Sequence, residues 1–215
     1  MRMLHLYTDQ LDKERRTVFH KLSAFNTYTL AGGTAIMLQI GHRKSFDFDC
    51  FSTEKLPSAL LQKAKRIFGP ATTLKTKTSE ILTVITPEGV DVTFVWYPYP
   101  PLKPPLATFP LSIAHMDDLA ANKAFTLGRR PAWRDYVDLF FLLKWNRYTL
   151  KDIIDLSQKK YSGEFNDKLF LKQLVYFEDL EIVDTAFLKE SYTTEEIQTF
   201  LEKQVEAYLK TALAI

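Results

Sequence analysis

The sequence predicts an α+β protein, with a mixed β-sheet and flanking helices in the N-terminal half followed by a C-terminal helical domain. Three observations carry this prediction. Short β-branched or alternating runs at Thr27–Ala31, Ser45–Phe51, Ile81–Thr86 and Val90–Trp96 all lie in the first half. Nearly everything after Pro110 has helical spacing. Between the two, Tyr97–Pro110 is rich in proline, which neither continues a helix nor sits in a central strand. The expected division is therefore an α/β part with a leading helix over 1–100, a proline-rich linker over 101–110 and a helical domain over 111–215.

Leu11–Phe25 places Leu11, Val18, Leu22 and Phe25 close to one helical stripe and reads as the leading amphipathic helix. Thr27–Ala31 suits a strand and runs into Gly32-Gly33. Thr34–Ile40 then reads as a short helix, capped by Thr34 or a neighbour and stopped by Gly41. In Ser45–Phe51, Phe46, Phe48 and Cys50 alternate with Asp47 and Asp49, the two-residue period of a half-buried strand. Pro57–Phe68 is a helix ending at Gly69-Pro70, and Pro87-Glu88-Gly89 joins the last two strands as a hairpin. Helices are expected near His115–Leu127, Pro131–Trp145, Leu150–Lys160, Asn166–Glu178 and Thr194–Ala214.

Composition narrows the function classes. With 46% hydrophobic and 25% charged residues over 215 positions, the chain can bury a sizeable core. No apolar run approaches the roughly 18–20 residues of a membrane span, and Met1–Gln10 lacks a signal-peptide pattern, so a cytoplasmic protein with no membrane partner is expected. The lone cysteine, Cys50, excludes an internal disulfide and a thiolate metal cage; its strand parity makes it a core residue. A net charge of +2 does not by itself indicate a nucleic-acid binder. The local basic groups are His42-Arg43-Lys44, Lys63 with Lys65 and Arg66, Lys75 with Lys77, and Lys123 with Arg129, Arg130 and Arg134; each also reads as a solvated face. His42 is expected to be an exposed loop histidine.

Four segments carry chemistry. Gly32, Gly33 and Thr34 precede a helix N-terminus, where glycines permit close approach and free amides favour a phosphate, although a plain tight turn has the same look. Asp47 and Asp49, two apart on a strand, project from one face; their repulsion calls for a cation, and hard oxygens at that spacing match Mg²⁺. Asp91 opens the Val90–Trp96 strand, and if that strand neighbours the first, all three carboxylates form a two-metal phosphoryl-transfer centre. The bland alternatives are a solvent-facing edge strand and a turn-end aspartate. Finally, Asp118, Lys123, Arg130, Arg134, Asp135 and Asp138 cluster around Gly128; Arg134, Asp135 and Asp138 share helical spacing, which equally describes a surface ion-pair network.

Leu30-Ala31-Gly32-Gly33-Thr34-Ala35, followed by Gly41-His42-Arg43-Lys44-Ser45-Phe46-Asp47-Phe48-Asp49-Cys50-Phe51, resembles the signature of the AbiEii/AbiGii nucleotidyltransferase toxin family, within the DNA polymerase β-type superfamily. Asp118 to Lys123 matches that family's Asp-x4-Lys element, and Arg134-Asp135-Tyr136-Val137-Asp138-Leu139 its Arg-Asp-x-x-Asp-Leu element. Leu174 to Glu181 is similar to its C-terminal region.

The resemblance implies a nucleotidyltransferase-fold sheet followed by helices, with a nucleoside triphosphate and Mg²⁺, or Mn²⁺, in the cleft between them; two ions are expected. By position, Gly32, Gly33, Thr34 and Ser45 would bind the nucleotide, Asp47, Asp49 and Asp91 the metal, and Lys123 a phosphate; Asp135 or Asp138 would supply the late catalytic carboxylate. RNA, including tRNA 3′ ends, is the implied acceptor, and a cognate antitoxin encoded nearby the implied partner. Transfer to a protein or a small molecule, and a non-catalytic nucleotide-binding module, remain as alternatives.

Overall fold

Residues 5–130 and 132–213 are described by a computed structural model of the chain; the expected helix limits at Pro131 and Ala214 lie outside them. The chain separates into two units, Met1–His115 and Met116–Ile215. Among the described residues no helix is long and apolar enough to cross a membrane.

The first unit is built on a five-stranded mixed sheet. Helix α1 (Lys13–Lys21) is capped by Asp12, which accepts from the Arg15 amide, and tightens into a 3₁₀ turn over Leu22–Phe25. Then follow β1 (Thr29–Ala31), α2 (Gly32–Ile40), β2 (Phe48–Ser52), α3 (Leu60–Phe68), β3 (Thr73–Lys77), β4 (Ile81–Ile85) and β5 (Asp91–Trp96). The strand order is β1-β2-β5-β4-β3, with β2 and β5 parallel and every other pair antiparallel.

One face of the sheet is apolar. Leu30, Phe48, Cys50, Leu82, Val84, Val92 and Phe94 are buried. Phe19 of α1 stacks on Phe48 at 5.7 Å, and Phe25 sits 4.7 Å from Phe94 and 5.4 Å from Phe68 of α3. By strand parity the opposite face carries Asp49, Thr83, Asp91 and Thr93.

Four expectations are corrected here. Strand β3 was not foreseen, because Thr73–Lys77 is exposed throughout and shows no apolar period. β2 begins at Phe48 rather than Ser45, and Phe46 is 38% exposed, its ring covered by the Arg15 guanidinium at 4.5 Å instead of entering the core. α2 begins at Gly32, with Ala31 as an extended N-cap, since the positive φ of Gly32 (67°) makes the turn from strand to helix in one residue. The chain returns to the sheet just after the proline-rich stretch: Leu30 donates to the Ser112 carbonyl at 2.8 Å and accepts from the Ala114 amide at 2.9 Å, so the change of unit falls beyond the stretch, between His115 and Met116.

The second unit consists of α4 (Met116–Leu127), α5 (Trp133–Lys144), α6 (Leu150–Tyr161), α7 (Asp167–Leu174) and α8 (Thr194–Leu213). α5 is central, burying Trp133, Tyr136, Val137 and Leu139–Leu143, and the Tyr136 hydroxyl donates to the Gln173 carbonyl of α7 at 2.9 Å. α7 stops at Leu174, short of the expected Glu178. α4 and α6 are joined by the stacked rings of Phe125 and Tyr161, 3.8 Å apart, and by an ion pair of 2.6 Å between Lys160 Nζ and Asp118 Oδ1. Both partners are almost fully enclosed, and burial lowers the Lys160 pKa while Asp118 opposes the shift.

Two stability outcomes are expected in urea denaturation of the full chain. Phe94→Ala removes a ring buried against Phe25 and Tyr28 and lowers stability by about 3–5 kcal/mol, whereas Leu74→Ala on the exposed β3 stays within about 0.5 kcal/mol of wild type. Lys160→Met removes the buried cation in contact with Asp118 and costs about 3–5 kcal/mol, most of which Lys160→Met/Asp118→Leu restores.

Candidate active site

The strand–turn–helix at β1 and α2 fixes the first part of the site. Ala31 pairs with Asp49 across β1 and β2, so the next residue, Gly32, lies directly against the Asp49 carboxylate. A Cβ on Gly32 would come within 2.0 Å of Asp49 Oδ2, and one on Gly33 within 2.6 Å of an Arg43 Nη2 and 3.3 Å of Ser45 Oγ. Gly32 is therefore required by close approach as well as by the turn, while at Gly33 a side chain would displace the end of Arg43. The N-cap residue Ala31 makes no side-chain capping hydrogen bond, and the first turn of α2 opens beside the Asp49 carboxylate.

The segment leading into β2 is tied to that helix. The Thr34 hydroxyl donates to the Asp47 carbonyl at 2.5 Å and lies 2.8 Å from Ser45 Oγ; the Ser45 hydroxyl donates to Asp47 Oδ1 over 3.4 Å. Thr34, Ser45, His42 and Arg43 are all buried. The expectation of an exposed His42 is thus overturned: the 42–45 segment packs inward, and Arg43 holds it there by donating to the Lys44 carbonyl at 2.9 Å. Thr34 is a brace between helix and strand, since its hydroxyl is committed to backbone and to Ser45.

Charge at the site has contributors that sequence spacing did not reveal. Arg15, from α1, donates to the Phe46 carbonyl at 3.2 Å; burial lowers its pKa, and the negative charge of Asp47 opposes that shift. Burial, reinforced by Asp49, pushes the Cys50 thiol far up, so it stays protonated and inert in the core. Nothing local in the sequence links Arg15 to Asp47; the contact follows from the packing of α1 on the apolar face of the sheet.

Asp47, Asp49 and Asp91 stand differently from one another. β2 and β5 are neighbours, with Phe48 opposite Val92 and Asp49 opposite Thr93, so Asp91, one residue before Val92, shares the sheet face of Asp49. Its carboxylate is nevertheless engaged elsewhere, with Asp91 Oδ2 2.5 Å from Lys75 Nζ of β3. Among the described residues no group of three His, Cys, Asp or Glu side chains is placed to hold a metal ion. The sequence expectation of three converging carboxylates is therefore replaced by Asp47 and Asp49 beside the glycine turn and a separate Asp91–Lys75 pair.

The second unit gathers Lys123, Asp135 and Asp138. Lys123 Nζ lies 2.5 Å from Asp135 Oδ1 and 2.7 Å from Asp138 Oδ2. The Asp138 side chain has no exposed surface and that of Asp135 has 10%, so this is a buried triad and not a surface network. Arg134 points outward and does not share the enclosed face of Asp138, and Asp118 belongs to the separate pair with Lys160. Arg129 and Arg130 are exposed.

The comparisons agree with this architecture. The family described as nucleotidyl transferase AbiEii toxin, type IV TA system, matches residues 16–213. An uncharacterized protein of Aquifex aeolicus, aq_aa25, is 32% identical over 208 residues, covering 94% of this chain and 98% of its own. Two solved structures share the fold. MenT4, a nucleotidyltransferase toxin of Mycobacterium tuberculosis, superposes with a TM-score of 0.61 at 16% identity, over 87% of this chain and 79% of its own. A putative nucleotidyltransferase of Helicobacter pylori gives 0.54 at 20% identity, over 98% and 97% of the two chains. With a glycine turn set against Asp49, a helical second unit and a family match across nearly the whole length, the chain belongs to the AbiEii family of nucleotidyl transferase toxins of type IV toxin–antitoxin systems.

Proposed function

We propose that this nucleotidyltransferase moves a nucleoside monophosphate from a nucleoside triphosphate to a hydroxyl of RNA, with a divalent ion held by Asp47 and Asp49, as the cytoplasmic toxin partnered by a cognate antitoxin. The observation that carries this reading is the Asp49 carboxylate occupying the space beside Gly32 that any side chain would fill. The carboxylate and the N-terminus of α2 then lie side by side, one suited to a cation and the other to the phosphates it accompanies.

The donor set fits Mg²⁺ or Mn²⁺ at Asp47 and Asp49. Mg²⁺ takes one or two protein carboxylates and completes its octahedron with water and substrate phosphate oxygens. When bound, such an ion neutralises triphosphate charge and favours the ionised form of an attacking hydroxyl. The protein's own groups do the remainder. Gly32 and Gly33 let the triphosphate approach the backbone, and the first amides of α2 bind its oxygens. Ser45 and Thr34 keep Asp47 beside Asp49. The acceptor oxygen bonds to the α-phosphorus, the bond to the β-phosphate bridge breaks, and pyrophosphate leaves while the hydroxyl proton passes to solvent.

Lys123 is the phosphate-binding cation of the second unit. Asp138, enclosed completely, fixes its ammonium, and Asp135, the partly exposed carboxylate, is the one suited to orient an acceptor. Exposed Arg129 and Arg130 supply positive charge for an RNA backbone.

Incubation of the purified protein with each labelled nucleoside triphosphate, Mg²⁺ and total RNA is expected to label RNA, and Asp49→Asn to slow labelling by about 10²–10³-fold. Label on protein or metabolites and none on RNA would remove RNA as acceptor; equal rates for Asp49→Asn and wild type would remove the metal assignment. Gly32→Ala places a methyl group on the Asp49 carboxylate at a left-handed φ, and should abolish transfer while costing about 1–2 kcal/mol in conformation alone, read by urea denaturation.

A further inference from the structure

The sheet face that carries the carboxylates also holds a cation of its own. In β3, Leu74 pairs with Val84 and Thr76 with Thr83, so Lys75 is the extra residue of a bulge. A bulge re-aims the side chain it inserts. Here the Lys75 ammonium reaches past β4 to Asp91 on β5, two strands away, at 2.5 Å. Asp91 has the parity of Thr93, whose hydroxyl is 3.1 Å from that of Thr83 and which stands opposite Asp49 in the parallel register. The Lys75–Asp91 pair thus lies on the same sheet face as Asp49.

We propose that Lys75 keeps Asp91 out of metal coordination, so that of these three carboxylates Asp47 and Asp49 alone are offered to the ion. The inference rests on the reading that those two residues hold a divalent cation. An ammonium in contact with a carboxylate cancels the charge a dication would seek, and a dication entering beside it meets a like charge. Lys75 is accordingly a positioning residue that keeps affinity for the free ion low. With few protein ligands, the ion depends on phosphate oxygens to fill its shell, and metal and triphosphate enter together. The bulge is the device that makes this possible, because it delivers a lysine from an exposed edge strand to the middle of the polar face.

Mn²⁺ binding to the nucleotide-free protein, measured by electron paramagnetic resonance, tests this without reference to activity. Lys75→Met is expected to tighten Mn²⁺ binding by about tenfold, because Asp91 becomes a third carboxylate ligand, and Lys75→Met/Asp91→Asn to return within about threefold of wild type. Lys77→Met makes the same charge change on the same strand and should leave the affinity within about threefold, separating ligand release from a general field effect. Lys75 is half exposed, and Lys75→Arg, which preserves the ion pair, should bind as wild type does. Unchanged affinity in Lys75→Met, equal gains in Lys75→Met and Lys77→Met, or a loss in the double variant as severe as that of Asp49→Asn would overturn the proposal. If Asp49→Asn binds Mn²⁺ as wild type does, the metal reading itself fails and this inference falls with it.

Discussion

The first unit depends on the approach of one carboxylate to one backbone atom. Asp49 is placed by pairing on both sides, with Ala31 on β1 and Thr93 on β5, and its Oδ2 lies where a Cβ of Gly32 would be. That approach dictates glycine at the turn, and the glycine in turn allows the chain to pass from an extended Ala31 into α2 at a positive φ. The helix N-terminus therefore opens beside a negative charge. A negative charge is favoured at a helix N-terminus in its own right, and under the proposed function the same space takes the cation and anion of a metal–nucleotide complex.

The rest of the unit holds that contact in register. Phe48 and Cys50 alternate with Asp49 and are fully buried, so a slip of one residue in β2 would turn the carboxylate into the core and two apolar side chains out of it. Phe19, Phe25 and Phe94 pin the apolar face. Thr34 joins the helix to the segment before β2, and buried Arg43 packs against Gly33. Packing on one side of the sheet thus sets the geometry on the other.

Much of this was legible in the sequence, for physical reasons that also mark where reading stopped. The alternation of Phe48, Asp49 and Cys50 is a strand period, the glycine pair is a turn before an apolar helix, and Pro87-Glu88-Gly89 is hairpin chemistry; all three are local signals. β3 carries no such signal, because an edge strand exposed on every residue has no apolar face to show. Its lysines look like a solvated patch, and only the register break and the ion pair reveal that Lys75 reaches across the sheet to Asp91. His42 and Arg43 look like a basic loop, yet tertiary packing encloses them. In the second unit, Lys123, Asp135 and Asp138 have the spacing of surface pairs, and spacing says nothing about burial. A lysine between two enclosed carboxylates is costly unless mutually compensated, and here both ion pairs supply that compensation.

The central claim is that Asp47 and Asp49, beside Gly32, are the protein's carboxylate ligands to a nucleotide-bound ion. The most direct measurement is a crystal structure with Mn²⁺ and a non-hydrolysable nucleoside triphosphate, the ion located by its anomalous scattering. The account predicts a peak in direct contact with both Asp47 and Asp49 and with phosphate oxygens at the start of α2. A peak away from Asp47 and Asp49, or a triphosphate bound elsewhere on the chain, would contradict it.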